Sequence, residues 1–259
     1  MGTAAVQGAI WGLRARDWAE VQEILYVPLF EAVLQQTGVG PGTAVLDIGC
    51  GSCVYCQLAA QRGAQVSGLD AADLLLEIAR ERVPLGDFRS GEMENMPYPD
   101  GSFEVVTGFN SFQFAASPVS ALREARRVLR SGGRLGIAIW GKPEETGPLP
   151  YFNALASFLP PPPGSHGPFA LSMDGELAAL VSAAGMQPGV IQTVGCPWNY
   201  PDENTLLRGL LSPAPAIRAV QAAGEAAVRA AVLRALAPFK TAAGGYAIPN
   251  VARYMIVTV

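Results

Sequence analysis

One short stretch, "AVLDIGCGSCVYC", limits what this chain can fold into more than any other. Residues 44–49 form an apolar run of strand length, Gly49 and Gly51 make a turn, and residues 54–62 have a helical pattern. A buried strand that leads through a glycine turn into a helix is typical of a parallel α/β sheet. The turn also lets a ligand approach the backbone, beside the positive end of the helix dipole.

The alternation of strand and helix continues as far as residue 140. Further strands are expected at 64–70, 87–92, 102–110 and 134–140, and helices at 72–83 and 119–131. Helical spacing turns Leu74, Leu75, Ile78 and Val83 toward the core, and the glycines at 132–133 end the second helix. The first half therefore predicts a parallel sheet with crossover helices.

The second half has a different pattern. Residues 141–172 are rich in proline, and the four consecutive prolines at 160–163 exclude regular helix or sheet locally. A helix is expected at 175–186, a strand at 189–195, alanine-rich helices over 204–236 and a last strand at 252–259, while the first 36 residues are helical in pattern. We predict a single domain, 1–259, with a core at 37–140 and 173–259 and cap elements at 1–36, 141–172 and 204–236.

Charge and composition narrow the choice of partners. The formal net charge is −4, no basic cluster occurs, and half of the residues are apolar. A nucleic-acid backbone is therefore not an expected partner, whereas a small or apolar molecule is. No cationic start precedes the first apolar stretch, and charges interrupt every long apolar run. We therefore predict a cytoplasmic, reduced protein without a membrane span. We expect it to be a monomer or a homodimer.

Three cysteines in seven residues suggest a second chemistry for the opening stretch. Cys50, Cys53 and Cys56 have a C-x-x-C-x-x-C spacing that resembles metal or iron–sulfur ligation. A structural zinc site needs a fourth ligand, and only Cys196 and His166 are available elsewhere. Small buried side chains explain the three cysteines more simply, so no metal is predicted.

Two acids point to the ligand of the glycine turn. Asp70 follows Gly49 by 21 residues, at the end of the second strand, where a carboxylate can accept both ribose hydroxyl hydrogens. A dinucleotide site would have a third glycine at position 54, which is Val54. Asp47, immediately before the turn, would repel a pyrophosphate and attract an ammonium or sulfonium group. These features favour S-adenosylmethionine, an adenosine joined to a cationic amino-acid tail.

Four ordered segments then resemble a known family. They are "VLDIGCGSC" at 45–53, "GLD" at 68–70, "GEMENMPYPDGSFEVV" at 91–106 and "EARRVLRSGGRL" at 124–135. Together they resemble the class I S-adenosylmethionine-dependent methyltransferases, type 11, the ubiquinone-biosynthesis-methyltransferase-like group. The resemblance implies an α/β, Rossmann-like, seven-stranded methyltransferase sandwich, with five parallel strands, a terminal antiparallel pair and a helical, proline-rich cap.

The resemblance also implies roles for residues of the turn and its neighbours. Gly49 and Gly51 would form the cofactor turn, Asp47 would organise the methionine end, and Asp70 would bind the ribose. The family usually has glycine at the position of Cys53, so this chain gains a side chain where the turn meets the helix.

On the adenine side, Ala71 would lie beside the ring, Glu92 would accept from its amino group, and Met93 would supply a backbone N–H. Asn110 would flank the transferred methyl. The full set of expected cofactor residues is Asp47, Gly49, Cys50, Gly51, Asp70, Ala71, Glu92, Met93 and Asn110.

The implied reaction is methyl transfer from S-adenosylmethionine to an O, N or C nucleophile of a small, rather apolar metabolite, such as one of secondary metabolism. S-Adenosylhomocysteine would be the product. Two alternatives stay open: a relative that keeps the cofactor for a non-methylating cyclisation or rearrangement, and a non-catalytic binding protein with a decayed loop.

No catalytic residue stands out, and His166 and Tyr26 are the candidates. His166 lies in the proline-rich loop, where a solvated bystander is the preferred interpretation. Tyr26 shares a face with Trp18, and the two either close the pocket or dock the N-terminal helix on the core.

Overall fold

The structure, a computed structural model, describes residues 2–159 and 168–259. Within these residues seven strands form one sheet in the order β3-β2-β1-β4-β5-β9-β6, and β7 pairs with β8 beside it. The strands are β1 (Ala44–Ile48), β2 (Gln65–Asp70), β3 (Asp87–Ser90), β4 (Phe103–Phe109), β5 (Leu129–Trp140), β6 (Ile191–Gly195), β7 (Trp198–Tyr200), β8 (Tyr246–Ile248) and β9 (Val251–Thr258).

The sheet confirms the predicted α/β methyltransferase sandwich. Neighbouring strands from β3 through β5 are parallel, whereas β9 runs antiparallel to both β5 and β6. The chain builds outward from β1 to β3 and then crosses to β4 on the other side of β1. The strand order therefore reverses between β1 and β4, and ligands of open α/β sheets bind at such a point, outside the carboxyl ends of the strands.

Helices cover both faces of the sheet and its carboxyl edge. The helices are α1 (Ala4–Trp11), α2 (Ala15–Asp17), α3 (Val27–Thr37), α4 (Val54–Gln61), α5 (Asp73–Arg82), α6 (Pro118–Val128), α7 (Leu149–Ala156), α8 (Glu176–Ala183), α9 (Glu203–Leu210), α10 (Ala214–Ala223) and α11 (Glu225–Leu236). Among the described residues, no helix combines the length and the apolar character that crossing a membrane requires.

Two details of the predicted helices are wrong. The helix expected to continue to residue 131 ends at Val128, because Leu129 already pairs with Phe103 as the first residue of β5. In α5, Leu74 is 51% exposed, and Leu76 takes the expected inward place beside Leu75. Leu74 instead faces Gly12, in the N-terminal segment.

Two regions hold structure that the sequence patterns did not predict. Helix α7 precedes the four prolines in the proline-rich stretch, where no helix was predicted, and the β7–β8 pair brings Trp198 opposite Ile248. The four prolines at 160–163 and His166 lie outside the described residues.

Candidate functional site

The carboxyl end of β1 carries the first acid of the site. Asp47 is 2% exposed, and its carboxylate accepts a hydrogen bond from the Thr107 hydroxyl, 2.8 Å away on the paired strand β4. Burial raises the pKa of Asp47 well above its usual value, and the nearby carboxylates of Glu23 and Asp70 add to this. Negative charge is thus costly here, and a cationic ligand would relieve that cost.

The turn after β1 depends on its glycines. Gly49 and Gly51 have φ values of 70° and 56°, in the left-handed region that favours glycine. A Cβ on Gly49 would lie 2.4 Å from the Cβ of Ser111, so no larger residue fits there without movement. The backbone N–H groups of Gly49 and Cys50 donate to the Leu69 carbonyl at 2.7 and 3.1 Å, which ties the turn to β2.

Asp70 joins the glycine turn to the loop after β2. Its Oδ2 accepts the Gly51 N–H and its Oδ1 accepts the Ala72 N–H, each at 2.8 Å. Burial raises the pKa of Asp70, while these backbone donors act in the opposite direction. A carboxylate has about four lone-pair positions, so two remain for further donors such as ribose hydroxyls.

Helix α1 lies across the expected adenine position. The Ala4 N–H donates to Glu92 Oε2 at 3.0 Å, and a Cβ on Gly8 would come within 2.0 Å of the Ala71 carbonyl oxygen. A groove of about 530 Å³ runs between α1 and the ends of β2 and β3, with Leu74 among its lining residues. Met93 is half-buried and packs on the apolar core below. The structure thus brings Ala71, Glu92 and Met93 to one side of the turn.

Several buried polar atoms around the turn lack partners. Asn110 has an unusual φ of 51°, and its Oδ1, the Ser111 hydroxyl and the Trp18 indole N–H are buried without a hydrogen-bond partner among the described residues. The Trp18 nitrogen lies 3.2 Å from where a Cβ on Gly51 would be, and the Ser111 oxygen 3.3 Å from the equivalent position on Gly49. Unpaired buried polar atoms are costly, so this set fits a site that binds a polar ligand.

Glu23 belongs to the site, and the sequence analysis missed it. Its side chain is 4% exposed, and it accepts the Ser52 N–H at 3.1 Å, the Val54 N–H at 2.9 Å and the Ser52 hydroxyl. The helical pattern held a usable signal: Glu23 lies four residues after Ala19 and three before Tyr26, on the face of the segment that packs inward.

The cysteines are small buried residues of the loop. Cys53 caps the start of α4 with a φ of 63° and is 0% exposed. It keeps the backbone conformation of the glycine that the family usually has, at a strain cost of roughly 1 kcal/mol. Burial raises the thiol pKa of both Cys50 and Cys53. Within residues 2–159 and 168–259, no group of three or more His, Cys, Asp or Glu is arranged to hold a metal ion.

An aromatic cluster lies beyond the turn, at the ends of β4 and β5. The ring of Tyr26 lies 6.3 Å from Trp18, 6.0 Å from Trp140 and 6.4 Å from Trp198, between ring centroids. Phe152 of α7 adds its ring 5.1 Å from Trp140. Burial raises the pKa of the Tyr26 hydroxyl well above its usual value, so this side chain is neutral at physiological pH.

Comparison with known proteins agrees with this geometry. The family model described as a methyltransferase domain, of the type 11 group, matches residues 46–137, from β1 to the middle of β5. The chain is 32% identical over 103 residues to a malonyl-[acyl-carrier protein] O-methyltransferase of Serratia marcescens, covering 40% of each protein. It is 30% identical over 145 residues to a demethylmenaquinone methyltransferase of Listeria welshimeri, covering 53% of this chain and 61% of the relative.

Residues 46–137 of this chain thus match the methyltransferase domain of the type 11 group. The chain spans less than two thirds of these curated relatives' length, 40% and 61% respectively. The resemblance that the four ordered segments suggested is confirmed for the domain.

Solved structures show the same methyltransferase fold. The YcgJ protein of Bacillus subtilis has a TM-score of 0.58 at 21% identity, covering 88% of this chain and 97% of its own. The 4+2 cyclase SpnF has a TM-score of 0.56 at 21% identity, covering 89% of this chain and 79% of its own. At this identity the likeness concerns the fold alone.

Proposed function

We propose that the protein transfers the methyl group of S-adenosylmethionine to an O, N or C nucleophile of a small, rather apolar metabolite in the cytoplasm. The observation that carries this proposal is the acidic glycine turn. Two buried carboxyl groups, those of Asp47 and Glu23, and the half-buried Asp70 surround a backbone turn in which Gly49 and Gly51 have left-handed φ values.

The residues of the turn fit this cofactor. S-Adenosylmethionine supplies an activated methyl on a cationic sulfur, and the carboxylates favour a cation over a pyrophosphate. Asp70 would bind the ribose, Asp47 the methionine end, and Ala71, Glu92 and Met93 the adenine. Asn110 has a free Oδ1 within the described structure and would flank the transferred methyl.

The aromatic cluster supports a small, apolar acceptor. Tyr26, Trp140 and Trp198 pack edge to face in an apolar region, which would suit a planar or aliphatic molecule better than a charged one. We propose that the cap elements at 1–36, 141–172 and 204–236 surround this acceptor. Since the methyl donor is already activated, the chain's own work is to align the acceptor and exclude water.

Cofactor titration of the Asp70→Ala variant tests the proposal. We expect the variant to bind S-adenosylmethionine more weakly by about 1–3 kcal/mol, because a charged hydrogen-bonding partner is lost. Isothermal titration calorimetry measures the affinity of each protein. The wild type and Asp100→Ala are the controls, because Asp100 is an exposed acid paired with Arg127. Equal affinity in all three proteins would contradict the assignment of Asp70.

Product analysis separates methyl transfer from the alternatives. We expect turnover with labelled cofactor and a panel of apolar acceptors to release S-adenosylhomocysteine in a 1:1 ratio to methylated product. Acceptor conversion without its release would instead indicate a cyclase or isomerase. Failure of the wild type to bind any adenosyl ligand would indicate a binding protein of another kind.

A further inference from the structure

Glu23 connects the N-terminal segment to the glycine turn by hydrogen bonds. It comes from the short helical turns between α2 and α3, yet its carboxyl group reaches the junction of the glycine turn and α4, where it accepts the N–H groups of Ser52 and Val54. Arg82 completes the arrangement: its guanidinium donates to the Ser52 carbonyl and hydroxyl at 2.6 and 2.7 Å and to the Ala19 carbonyl at 3.2 Å.

The hydrogen bonds of Glu23 favour its ionised form and oppose the burial that raises its pKa. Both backbone partners can only donate, and the Ser52 hydroxyl accepts from Arg82, which leaves its hydrogen for the Glu23 carboxylate. The positive end of the α4 dipole further stabilises a negative charge at this position. An ionised carboxylate accepts at both oxygens, so this set of donors suits the charged form of Glu23.

The charge of Glu23 lies next to the turn itself. A Cβ on Gly51 would lie 3.5 Å from Glu23 Oε2. Asp70 binds the Gly51 N–H from the β2 side, so Gly51 lies between two carboxylates. Glu23 is therefore close enough to act on a ligand of the turn by its charge, without being one of the residues that the family pattern assigns to the cofactor.

We propose that Glu23 is a specificity-determining residue whose charge makes the site prefer S-adenosylmethionine, which has a cationic sulfur, over S-adenosylhomocysteine, whose sulfur is uncharged. The inference rests on the proposed function and adds to it a means of discriminating cofactor from product. S-Adenosylmethionine carries a net charge of about +1 and the product about zero near neutral pH, since the two differ by the sulfonium charge. A nearby carboxylate stabilises the first more than the second.

Calorimetric titration with both ligands tests this inference. In Glu23→Gln we expect the ratio of the two dissociation constants, product over cofactor, to fall roughly fivefold, the effect of one charge several ångströms away in a partly screened site. Glu20→Gln is the matched control, because Glu20 lies on the same segment but is exposed and paired with Arg208. Its ratio should equal that of the wild type.

The outcomes are distinct. Equal weakening of both ligands in Glu23→Gln would mean that Glu23 only holds the segment in place. Unchanged affinity for both ligands would mean that its charge does not reach them, and either result overturns the inference. A wild type that binds neither ligand would instead refute the proposed function.

Arg82→Gln is the second variant. It tests the inference if circular dichroism shows that Glu23→Gln does not fold. This change removes the cation nearest the Ser52–Glu23 contact, so the product-to-cofactor ratio should rise above the wild-type value. A ratio that stays level or falls would overturn the inference.

Discussion

At the scale of single residues, we expect Asp47 to favour cofactor binding and to lower the stability of the folded protein. Its buried carboxyl group has one hydroxyl partner, Thr107, and lies near two other acids, so ionising it costs the folded protein stability. An amide oxygen at this position would still accept from Thr107, and it would remove the charge. The stability lost to this acid is the kind that functional sites often carry.

We therefore expect Asp47→Asn to raise the free energy of unfolding by roughly 0.5–2 kcal/mol. The same variant should lose most of its affinity for S-adenosylmethionine, because it lacks the charge that attracts the cationic tail. Urea denaturation and calorimetry measure the two effects, and Asp100→Asn, an exposed acid, is the control. A variant that is destabilised and still binds normally would contradict this view of Asp47.

Asp47 also shows which part of the site can be predicted from the sequence. Asp47, Gly49 and Gly51 are adjacent in the chain, so their relation to the turn follows from local pattern alone. Glu23 contacts Ser52 across 29 positions, and only the folded N-terminal segment brings the two together. A single sequence carries no direct signal for such a distant pair.

At the scale of elements, helix α1 covers the expected adenine position by two close contacts. The Ala4 N–H, a donor at the start of the helix that has no partner within it, binds Glu92, the acid expected to accept from the adenine amino group. Gly8 lies against the Ala71 backbone. Helix α1 has no fully buried residue, and these two contacts join it to the loops that follow β2 and β3.

Two glycine variants of this segment should behave differently. In Gly8→Ala the new Cβ would meet the Ala71 oxygen at 2.0 Å and push α1 away, whereas in Gly12→Ala the nearest atom, on Leu74, is 3.5 Å away. We expect faster trypsin cleavage after Arg14 and faster cofactor association in Gly8→Ala only. Mass spectrometry measures the cleavage, and stopped-flow fluorescence measures the association rate. Equal behaviour of the two variants would show that α1 does not restrict access to the site.

Element boundaries were the least predictable part of the fold. The spacing of "EARRVLR" suits a helix up to residue 131, but pairing of Leu129 with Phe103 begins β5 there. Tertiary pairing overrode local helix preference at this point. Strands β1, β2 and β4, by contrast, were predicted within two residues of their observed ends, since burial of whole strands leaves continuous apolar runs.

At the scale of the whole molecule, the buried acids predict how stability depends on pH. Burial raises the pKa of Asp47, Asp70 and Glu23 in the folded protein above the values of about 4 found in unfolded chains. Between these values the folded state binds more protons than the unfolded state, so stability falls as pH rises. Glu124, whose pKa is lowered by its hydrogen bond with Arg127, acts in the opposite direction, and only near or below about pH 4.

We expect the melting temperature of the ligand-free protein to decrease as pH rises from about 5 to 8, because this range lies above the unfolded-state pKa values and the folded protein binds the extra protons less and less. Saturating S-adenosylmethionine should offset the decrease, because a cationic ligand binds the ionised site more tightly and ligand binding stabilises the folded state. S-Adenosylhomocysteine should offset it less, since it lacks the sulfonium charge. Differential scanning calorimetry over this pH range measures the melting temperatures. In Asp47→Asn, we expect the melting temperature to change less with pH than in the wild type. A melting temperature that rises from pH 5 to 8 without ligand would mean that other groups outweigh these acids.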